Sequence, residues 1–306
     1  MQTERPSHLK YDIALLFTVF VWGLNFPILK GALGAMHPHA VNGFRFLVAA
    51  LVLGFLYVVK GYHRAFPLVP SLRRHGLSIV LLTLGGWVLY QLFFIIGLER
   101  TTAGNAALIM AGAPLWTAVF GRVSRMERLP AGSWWALVVI LTGTVIVVVG
   151  GASEIRLSES TFMGNLLILG ASLLTGGYTA YSRPVLLHLP AITLTFFCIL
   201  LAVPFLVGLG AVHLQEVAWS LVDARVWGAI LFSGGLSTGL VFVFWSTAVR
   251  HVGASQTAVF GNLVPVVALA ASIPLLGESI SPAQLVGGLM IVGGLVVMRR
   301  TRRAAA

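Results

Sequence analysis

Two stretches, one in each half of the chain, follow the same pattern: AGNAALIMAGAPLWTAVFGRVSRME at residues 103–127 and ASQTAVFGNLVPVVALAASIPLLGE at residues 254–278. A shift of 151 residues superposes several identical residues in the same order. The superposed pairs are Ala103 with Ala254, Ala107 with Ala258, Pro114 with Pro265, Glu127 with Glu278 and Gly143 with Gly294. The same shift pairs two carboxamides, Asn105 and Gln256. The order of these matches in two apolar stretches indicates an internal repeat.

The composition around this repeat is that of a membrane protein. Of 306 residues, 58% are hydrophobic and 9% are charged, whereas soluble domains have about 45–50% apolar and about 25% charged residues. A helix needs about 20 apolar residues to cross a hydrocarbon core of about 30 Å. Apolar runs of this kind lie near residues 11–35, 39–59, 76–98, 103–122, 133–151, 163–183, 191–212, 226–249, 253–274 and 282–298. The sequence therefore predicts an all-α integral membrane protein with ten transmembrane helices.

Each copy of the repeat contains five of these spans, and this number determines the relation between the copies. Because five is odd, the second copy enters the membrane in the opposite orientation. Residues 1–151 and 152–306 are thus predicted to be two inverted five-helix repeats of one membrane domain. Inverted repeats are typical of secondary transporters, whose substrate site lies near the bilayer midplane between the copies.

The basic residues predict the orientation of the chain. Most of the 20 Lys and Arg residues fall in the segments that are cytoplasmic if the N-terminus is cytoplasmic. By the positive-inside rule, both termini are expected in the cytoplasm. The net charge of +11 therefore reflects membrane topology and lipid contact, and no nucleic-acid partner is expected.

The first two spans carry the motifs Phe20–Phe26 (FVWGLNF) and Phe44–Ala50 (FRFLVAA), which accompany the repeated Ala, Pro and Glu signature. With these motifs the chain resembles the drug/metabolite transporter superfamily, in particular its ten-span EamA-type branch and the bacterial exporters of amino acids, aromatic ones included. The resemblance implies a multi-pass protein of the bacterial inner membrane. It also implies a central cavity lined by spans one, three, four, six, eight and nine.

Polar and aromatic side chains within the spans are candidates for the substrate pathway, because a polar group facing lipid is costly. Helical spacing places many of them on shared faces. The candidate substrate-binding residues are Trp22, Asn25, Trp87, Tyr90, Gln91, Asn105, Tyr178, Tyr181, Thr238, Trp245 and Gln256. Helix packing is the alternative role for the aromatic residues, and interhelical hydrogen bonding is the alternative for the amides.

A few further residues are candidates for a hinge, a gate or a structural contact. Pro114 and Pro265 interrupt equivalent spans and are candidate hinges. Arg45 lies inside span two, where its side chain is expected to extend to the nearby outer surface, as is that of Lys30; a gate or a contact with a substrate carboxylate is the alternative for Arg45. Glu127 and Glu278 are expected to end loops or pair with basic residues.

These features predict a secondary transporter that exports small metabolites, foremost amino acids with apolar or aromatic side chains, by alternating access. Export of drugs or other hydrophobic metabolites is the alternative. An uncharged cavity disfavours a sugar phosphate, and the absence of a mid-span carboxylate favours facilitated efflux over proton coupling. The eight histidines lie at span ends or outside the spans, without metal-ligand spacing. A membrane-embedded enzyme is therefore the remote alternative, and no catalytic residue, metal or cofactor is expected.

Overall fold

A computed structural model describes residues 9–124, 131–150 and 159–304, and these residues contain helices but no β-strand. The first seven helices are α1 (Leu9–Leu33), α2 (Pro38–Val59), α3 (Tyr62–Ala65), α4 (Leu68–Thr83), α5 (Tyr90–Arg100), α6 (Ala103–Met110) and α7 (Ala113–Val123). They are followed by α8 (Ala131–Gly150), α9 (Glu159–Leu186), α10 (Ala191–Val212), α11 (Ala224–Leu231), α12 (Val241–His251), α13 (Ala254–Phe260), α14 (Val264–Leu276) and α15 (Pro282–Ala304).

Several of these helices are parts of longer helical stretches. A π-helical segment, Leu84–Leu89, joins α4 to α5, and a second one, Phe232–Leu240, joins α11 to α12. A 3₁₀ turn, Gly261–Leu263, joins α13 to α14. Each predicted apolar span coincides with helical residues over most of its length within the described part of the chain, although the third predicted span (76–98) is part of a longer stretch, Leu68–Arg100.

The length and composition of the helices are those of a multi-pass membrane protein. Seven stretches are long and apolar enough to cross a membrane: Leu9–Leu33, Pro38–Val59, Leu68–Arg100, Ala103–Val123, Glu159–Leu186, Ala191–Val212 and Ala224–His251. Three shorter apolar helical stretches are Val138–Val147, Gly261–Leu276 and Pro282–Gly294. Large apolar side chains such as Leu51, Leu77 and Leu289 lie exposed on the outside of the bundle. This arrangement suits contact with lipid, and it confirms the prediction of an all-helical membrane protein.

Glycines allow the helices to approach closely. Helix α2 packs along α10, and α8 packs along α15. A Cβ added at Gly143 would lie 2.7 Å from the backbone oxygen of Gly287. On the other pair, a Cβ at Gly210 would lie 2.7 Å from the backbone oxygen of His39. Glycines at these contacts let the helix backbones come close together, and small residues are common at such interfaces in membranes.

Glu278 connects the two halves of the chain through a helix cap. Its Oε1 and Oε2 accept hydrogen bonds from the backbone N–H groups of Ala103 (2.8 Å) and Gly104 (3.0 Å), at the start of α6. A carboxylate at a helix N-terminus satisfies free N–H groups and interacts favourably with the helix dipole. Glu278 therefore has a structural role, as a helix cap rather than as the predicted loop end or partner of a basic residue, whereas its repeat partner Glu127 lies outside the described residues.

Lys30 caps the C-terminal end of α5, as Glu278 caps the N-terminal end of α6. Its Nζ donates to the carbonyl oxygens of Leu98 (2.9 Å), Glu99 (3.3 Å) and Thr101. The carbonyl groups left free at the helix end offer this partly exposed side chain three acceptors, and its extension to the outer surface stays a prediction.

Candidate functional site

A central cavity lies between helices of both halves of the chain. Its volume is about 100 Å³. Ligand pockets in proteins commonly measure about 300–1,000 Å³, so the cavity in this state is smaller than a typical ligand pocket. Its lining consists of Trp22, Asn25, Phe26, Arg45, Tyr90, Gln91, Phe94, Ala107, Met110, Ala111, Ala113, Pro114, Thr117, Thr175, Thr179, Ser237, Thr238, Phe242, Trp245, Ala258, Gly261 and Val264.

Irregular helical segments border this cavity. Helix α6 ends at Met110 and α7 begins at Ala113, with Pro114 in its first turn, where the missing proline N–H costs no hydrogen bond. In the second half, the 3₁₀ turn Gly261–Leu263 precedes α14 and its Pro265. The predicted interruption of both spans is therefore confirmed. Together with the π-helical segment Phe232–Leu240, these breaks are of the kind often found at functional sites.

Aromatic rings form one wall of the cavity. The Trp22 ring lies 4.9 Å from that of Trp245, centroid to centroid, and Trp22 Nε1 donates a hydrogen bond to the backbone oxygen of Ser237 at 3.2 Å. The Tyr90 and Phe94 rings stack at 5.7 Å on α5. Such faces suit apolar or aromatic groups, because offset and tilted ring pairs are favourable.

Arg45 forms the polar end of the cavity. Its side chain is 2% exposed, and Nη2 donates to Thr238 Oγ1 at 3.0 Å. Nη1 donates to Asn42 Oδ1 at 3.1 Å and to Gln91 Oε1 at 3.5 Å. The prediction that Arg45 extends to the outer surface is therefore wrong, because amide and hydroxyl oxygens on its own and neighbouring helices hold the guanidinium inside the bundle.

Asn25 adds a free acceptor to the same cavity. Its side chain is 5% exposed, and its Oδ1 has no hydrogen-bond partner among the described residues. A buried polar atom without a partner is unusual and costs free energy. Such an atom on the wall of a cavity is suited to accept a hydrogen bond from a bound molecule.

The structure brings together eight of the residues predicted for the site. These are Trp22, Asn25, Arg45, Tyr90, Gln91, Pro114, Thr238 and Trp245. Five further predicted residues, whose side chains the structure describes, are not among the lining residues: Trp87, Asn105, Tyr178, Tyr181 and Pro265. The side chain of Gln256 lies outside the described part of the structure.

Trp87 and Tyr178 lie behind the cavity wall. Trp87 is 1% exposed, and its ring meets Tyr178 edge-on at 5.8 Å. A Cβ added at Gly86 would lie 2.5 Å from the Tyr178 ring, so this pair packs tightly. Spacing by α-helical periodicity placed Trp87 on the face of Tyr90. The π-helical segment that contains Trp87 changes this angular relation, because its residues turn less than those of an α-helix.

Helix α9 presents a different face from the one predicted. Thr175 and Thr179 line the cavity, four residues apart on one face. Tyr181 follows Thr179 by two residues, about 200° around the helix at 3.6 residues per turn. Its ring is accordingly 39% exposed and packs 5.7 Å from that of Phe120.

Asn105 participates in a buried polar network away from the cavity. Its Oδ1 accepts a hydrogen bond from Gln284 Nε2 at 2.8 Å, and its Nδ2 donates to Thr101 Oγ1 at 3.4 Å. Thr101 Oγ1 in turn donates to Asn165 Oδ1 at 2.5 Å. Asn105 thus makes an interhelical hydrogen bond, which is the alternative role given above for the amides.

Several lining residues were not predicted: Phe26, Met110, Thr117, Thr179 and Ser237. Phe26 looks like an ordinary lipid-facing or packing residue in an apolar span. Thr179 carried a usable signal, because it lies four residues after Thr175. Ser237 contributes its backbone oxygen, and nothing in a side-chain pattern indicates such a role.

A second polar cluster lies where α1 joins α2 and α10 ends. The His37 and His213 rings stack 3.7 Å apart, and His213 Nδ1 lies 3.0 Å from Glu216 Oε2. Each of these three residues has one ligand atom within 4.8 Å of the others, a grouping that is able to hold a metal ion. Burial and the neighbouring His213 lower the pKa of His37, which favours the neutral imidazole. Sequence spacing missed this cluster because its members are far apart in the chain.

Known proteins are similar to this chain over most of its length. The sequence profile of the EamA-like transporter family matches residues 9–149 and 162–300. The transporter YyaM of Bacillus subtilis is 27% identical, over 95% of this chain and 93% of its own length. A probable amino-acid metabolite efflux pump of Salmonella typhimurium is 26% identical, over 95% of this chain and 97% of its own length.

Two further proteins are similar to this chain, one in sequence and one in structure. A probable terminal-alkyne amino-acid exporter of Streptantibioticus cattleyicolor is 25% identical, over 94% of this chain and 92% of its own length. A solved crystal structure is similar with a TM-score of 0.68 and 18% sequence identity, over 97% of this chain and 98% of that chain. At this identity the likeness concerns the fold alone.

Proposed function

The chain belongs to the EamA-like transporter family, and from this premise we propose that it exports amino acids with apolar or aromatic side chains. As a member of this family and a relative of transporters, it is a membrane transporter of small molecules and not an enzyme. The substrate class, alternating access and a location in the bacterial inner membrane are the parts that we propose.

One observation carries the proposal: the central cavity combines an aromatic wall with a polar end. Trp22 and Trp245 offer ring faces to an apolar side chain, while Arg45, Gln91 and Asn25 offer hydrogen-bonding groups. An amino acid has the same division, with an ammonium and a carboxylate at one end and a side chain at the other. Two relatives whose names refer to amino-acid export add support.

The arrangement of helices supports alternating access between two inverted repeats, residues 1–151 and 152–306, with both termini cytoplasmic. The seven long apolar stretches and the three shorter ones are sufficient for ten spans. The closely packed pairs, α2 with α10 and α8 with α15, each join a helix of the first half to its counterpart in the second. Cavities between such repeats are the usual substrate sites of secondary transporters.

The helix breaks before Pro114 and Pro265 are the points at which we expect bending. Each break lies within the part of its span that lines the cavity, with lining residues on both sides of it. Rocking of the helices at these points would open the cavity to one side of the membrane and close it to the other. Among the described residues, no Asp or Glu lines the cavity, which favours facilitated efflux, since intramembrane proton relays use such groups.

Counterflow in liposomes tests the proposal. Purified protein is reconstituted with an internal pool of unlabelled amino acid, and uptake of labelled tryptophan, phenylalanine, methionine and threonine is compared with that of glucose 6-phosphate. We expect uptake of the apolar amino acids without a pH gradient. We also expect a large loss in Trp22→Ala but not in Trp135→Ala, which removes a ring that is 76% exposed.

Other outcomes lead to different conclusions. If folded protein carries no amino acid but carries hydrophobic drugs, the substrate class is wrong and drug export replaces it. If flux appears only with a pH gradient, facilitated efflux is wrong. Disulfide crosslinks that lock both mouths of the cavity and leave transport intact would exclude alternating access.

A further inference from the structure

Arg45 presents a buried positive charge without a negative partner. Its three hydrogen-bond acceptors, on Asn42, Gln91 and Thr238, are neutral. Within the described part of the chain, the cavity lining contains neither Asp nor Glu. Removing a cation from water costs several kcal/mol unless an anion compensates it. The cavity therefore favours a ligand that brings a negative charge.

The hydrogen bonds of Arg45 leave part of the guanidinium free. A guanidinium has five N–H donors. Nη1 uses two of them on Asn42 and Gln91, and Nη2 uses one on Thr238. Nε has no partner among the described residues. The Nε–H and the remaining Nη2–H are the pair of donors with which arginine can bind a carboxylate through two parallel hydrogen bonds.

The charge of the lining indicates which anion fits. Arg45 is the only Lys or Arg among the lining residues that the structure describes, so the cavity matches one negative charge and not a phosphate dianion. Asn25 Oδ1, an acceptor without a partner, can receive a hydrogen bond from an ammonium group. The Trp22 ring can attract the same group through its face.

We propose that Arg45 is the specificity-determining residue that binds the carboxylate of the transported molecule. Asn42, Gln91 and Thr238 are positioning residues, because their oxygens accept hydrogen bonds from the guanidinium and hold it in place. This inference rests on the proposed function and deepens that function by naming the group that every substrate must carry, a carboxylate. It also accounts for a basic residue in one repeat that has no basic counterpart in the other.

Ligand binding to purified protein in detergent tests this inference through thermal stabilisation. The probes are tryptophan and indole-3-acetate, with tryptophanamide and indole-3-acetamide as matched compounds that lack the carboxylate. We expect the two acids to bind wild-type protein at least about 10-fold more tightly than the amides, because the amides lack the negative charge that the guanidinium binds. Arg45→Gln is expected to remove this preference, whereas Arg225→Gln, at an exposed residue, is expected to keep it.

The probes separate failure of this inference from failure of the proposed function. Equal binding of acids and amides by wild-type protein overturns the role of Arg45, and this comparison needs no variant if Arg45→Gln does not fold. If wild type and Arg45→Gln bind tryptophan equally tightly, the role of Arg45 is also overturned, but the proposal of amino-acid export is not. Binding of indole-3-acetate through Arg45 without binding of tryptophan supports the carboxylate site and removes the amino-acid substrate. No binding of either acid overturns the inference.

Discussion

Gly234 determines how closely the second π-helical segment approaches α2, and its replacement by alanine should disturb both stability and the site. An added Cβ would lie 2.5 Å from the Arg45 backbone oxygen and 3.0 Å from Val48 Cβ. Ordinary contact begins at 3.4 Å, so the two segments must separate by about 0.9 Å. Helix α2 is also closely packed on α10, where a Cβ at Gly210 would lie 2.7 Å from the His39 oxygen. It therefore has little room to move away.

The cost of this separation can be approximated. Overpacking a well-packed interior costs about 1–3 kcal/mol. A change of 1 kcal/mol corresponds to a shift of about 2–4 °C in Tm for a chain of about 150–250 residues. Because Thr238 lies on the same π-helical segment as Gly234, its 3.0 Å hydrogen bond to Arg45 would lengthen beyond normal hydrogen-bond range. We expect Gly234→Ala to lower Tm by several degrees and to weaken the binding of carboxylates.

Matched glycines provide the controls for thermal unfolding in detergent. A Cβ at Gly228, in the preceding α11, meets nothing within 4 Å, so Gly228→Ala should be neutral or gain up to about 1 kcal/mol in helix propensity. A Cβ at Gly235 would meet Val48 Cγ1 at 3.5 Å, an ordinary contact, and should be tolerated. The reasoning is refuted if Gly234→Ala melts at the same temperature as Gly228→Ala and binds ligand normally.

Three further perturbations probe other parts of the fold. Glu278→Ala removes two hydrogen bonds to the start of α6, so Tm should fall by an amount equivalent to about 1–3 kcal/mol. Glu278→Gln should recover part of this loss. If Glu278→Ala and wild type melt at the same temperature, Glu278 does not act as a cap. Trp22→Phe keeps a ring but loses the hydrogen bond to the Ser237 oxygen, so counterflow should decrease less than in Trp22→Ala; an equal loss would assign the whole effect to the hydrogen bond. Cys198 is 0% exposed, so a maleimide should label it only after unfolding, and rapid labelling of native protein would show that its surroundings open.

The parts of the site that could be predicted are those that follow regular helical periodicity. Tyr90 and Gln91 lie on the regular helix α5, and both line the cavity as their spacing predicts. Trp87, three residues before Tyr90, does not, because it belongs to a π-helical segment. Tyr181 was assigned to the wrong face of α9 for a different reason, since α9 is a regular helix. Polarity alone does not show which side of an apolar helix faces a cavity.

The sequence by itself determined the membrane environment, the helical class and the places where spans break. The first two properties depend on local composition, because long apolar runs need lipid. The breaks were marked by prolines at equivalent positions of the repeat, Pro114 and Pro265, since other prolines, such as Pro27 and Pro204, lie inside continuous helices. Only the tertiary structure decided what the polar groups do. Arg45 obtains its partner Thr238 from 193 residues away, and Asn105 obtains Gln284 from 179 residues away. Inside a bilayer a polar group is satisfied by whichever helix lies beside it, so its role depends on helix packing rather than on its neighbours in sequence.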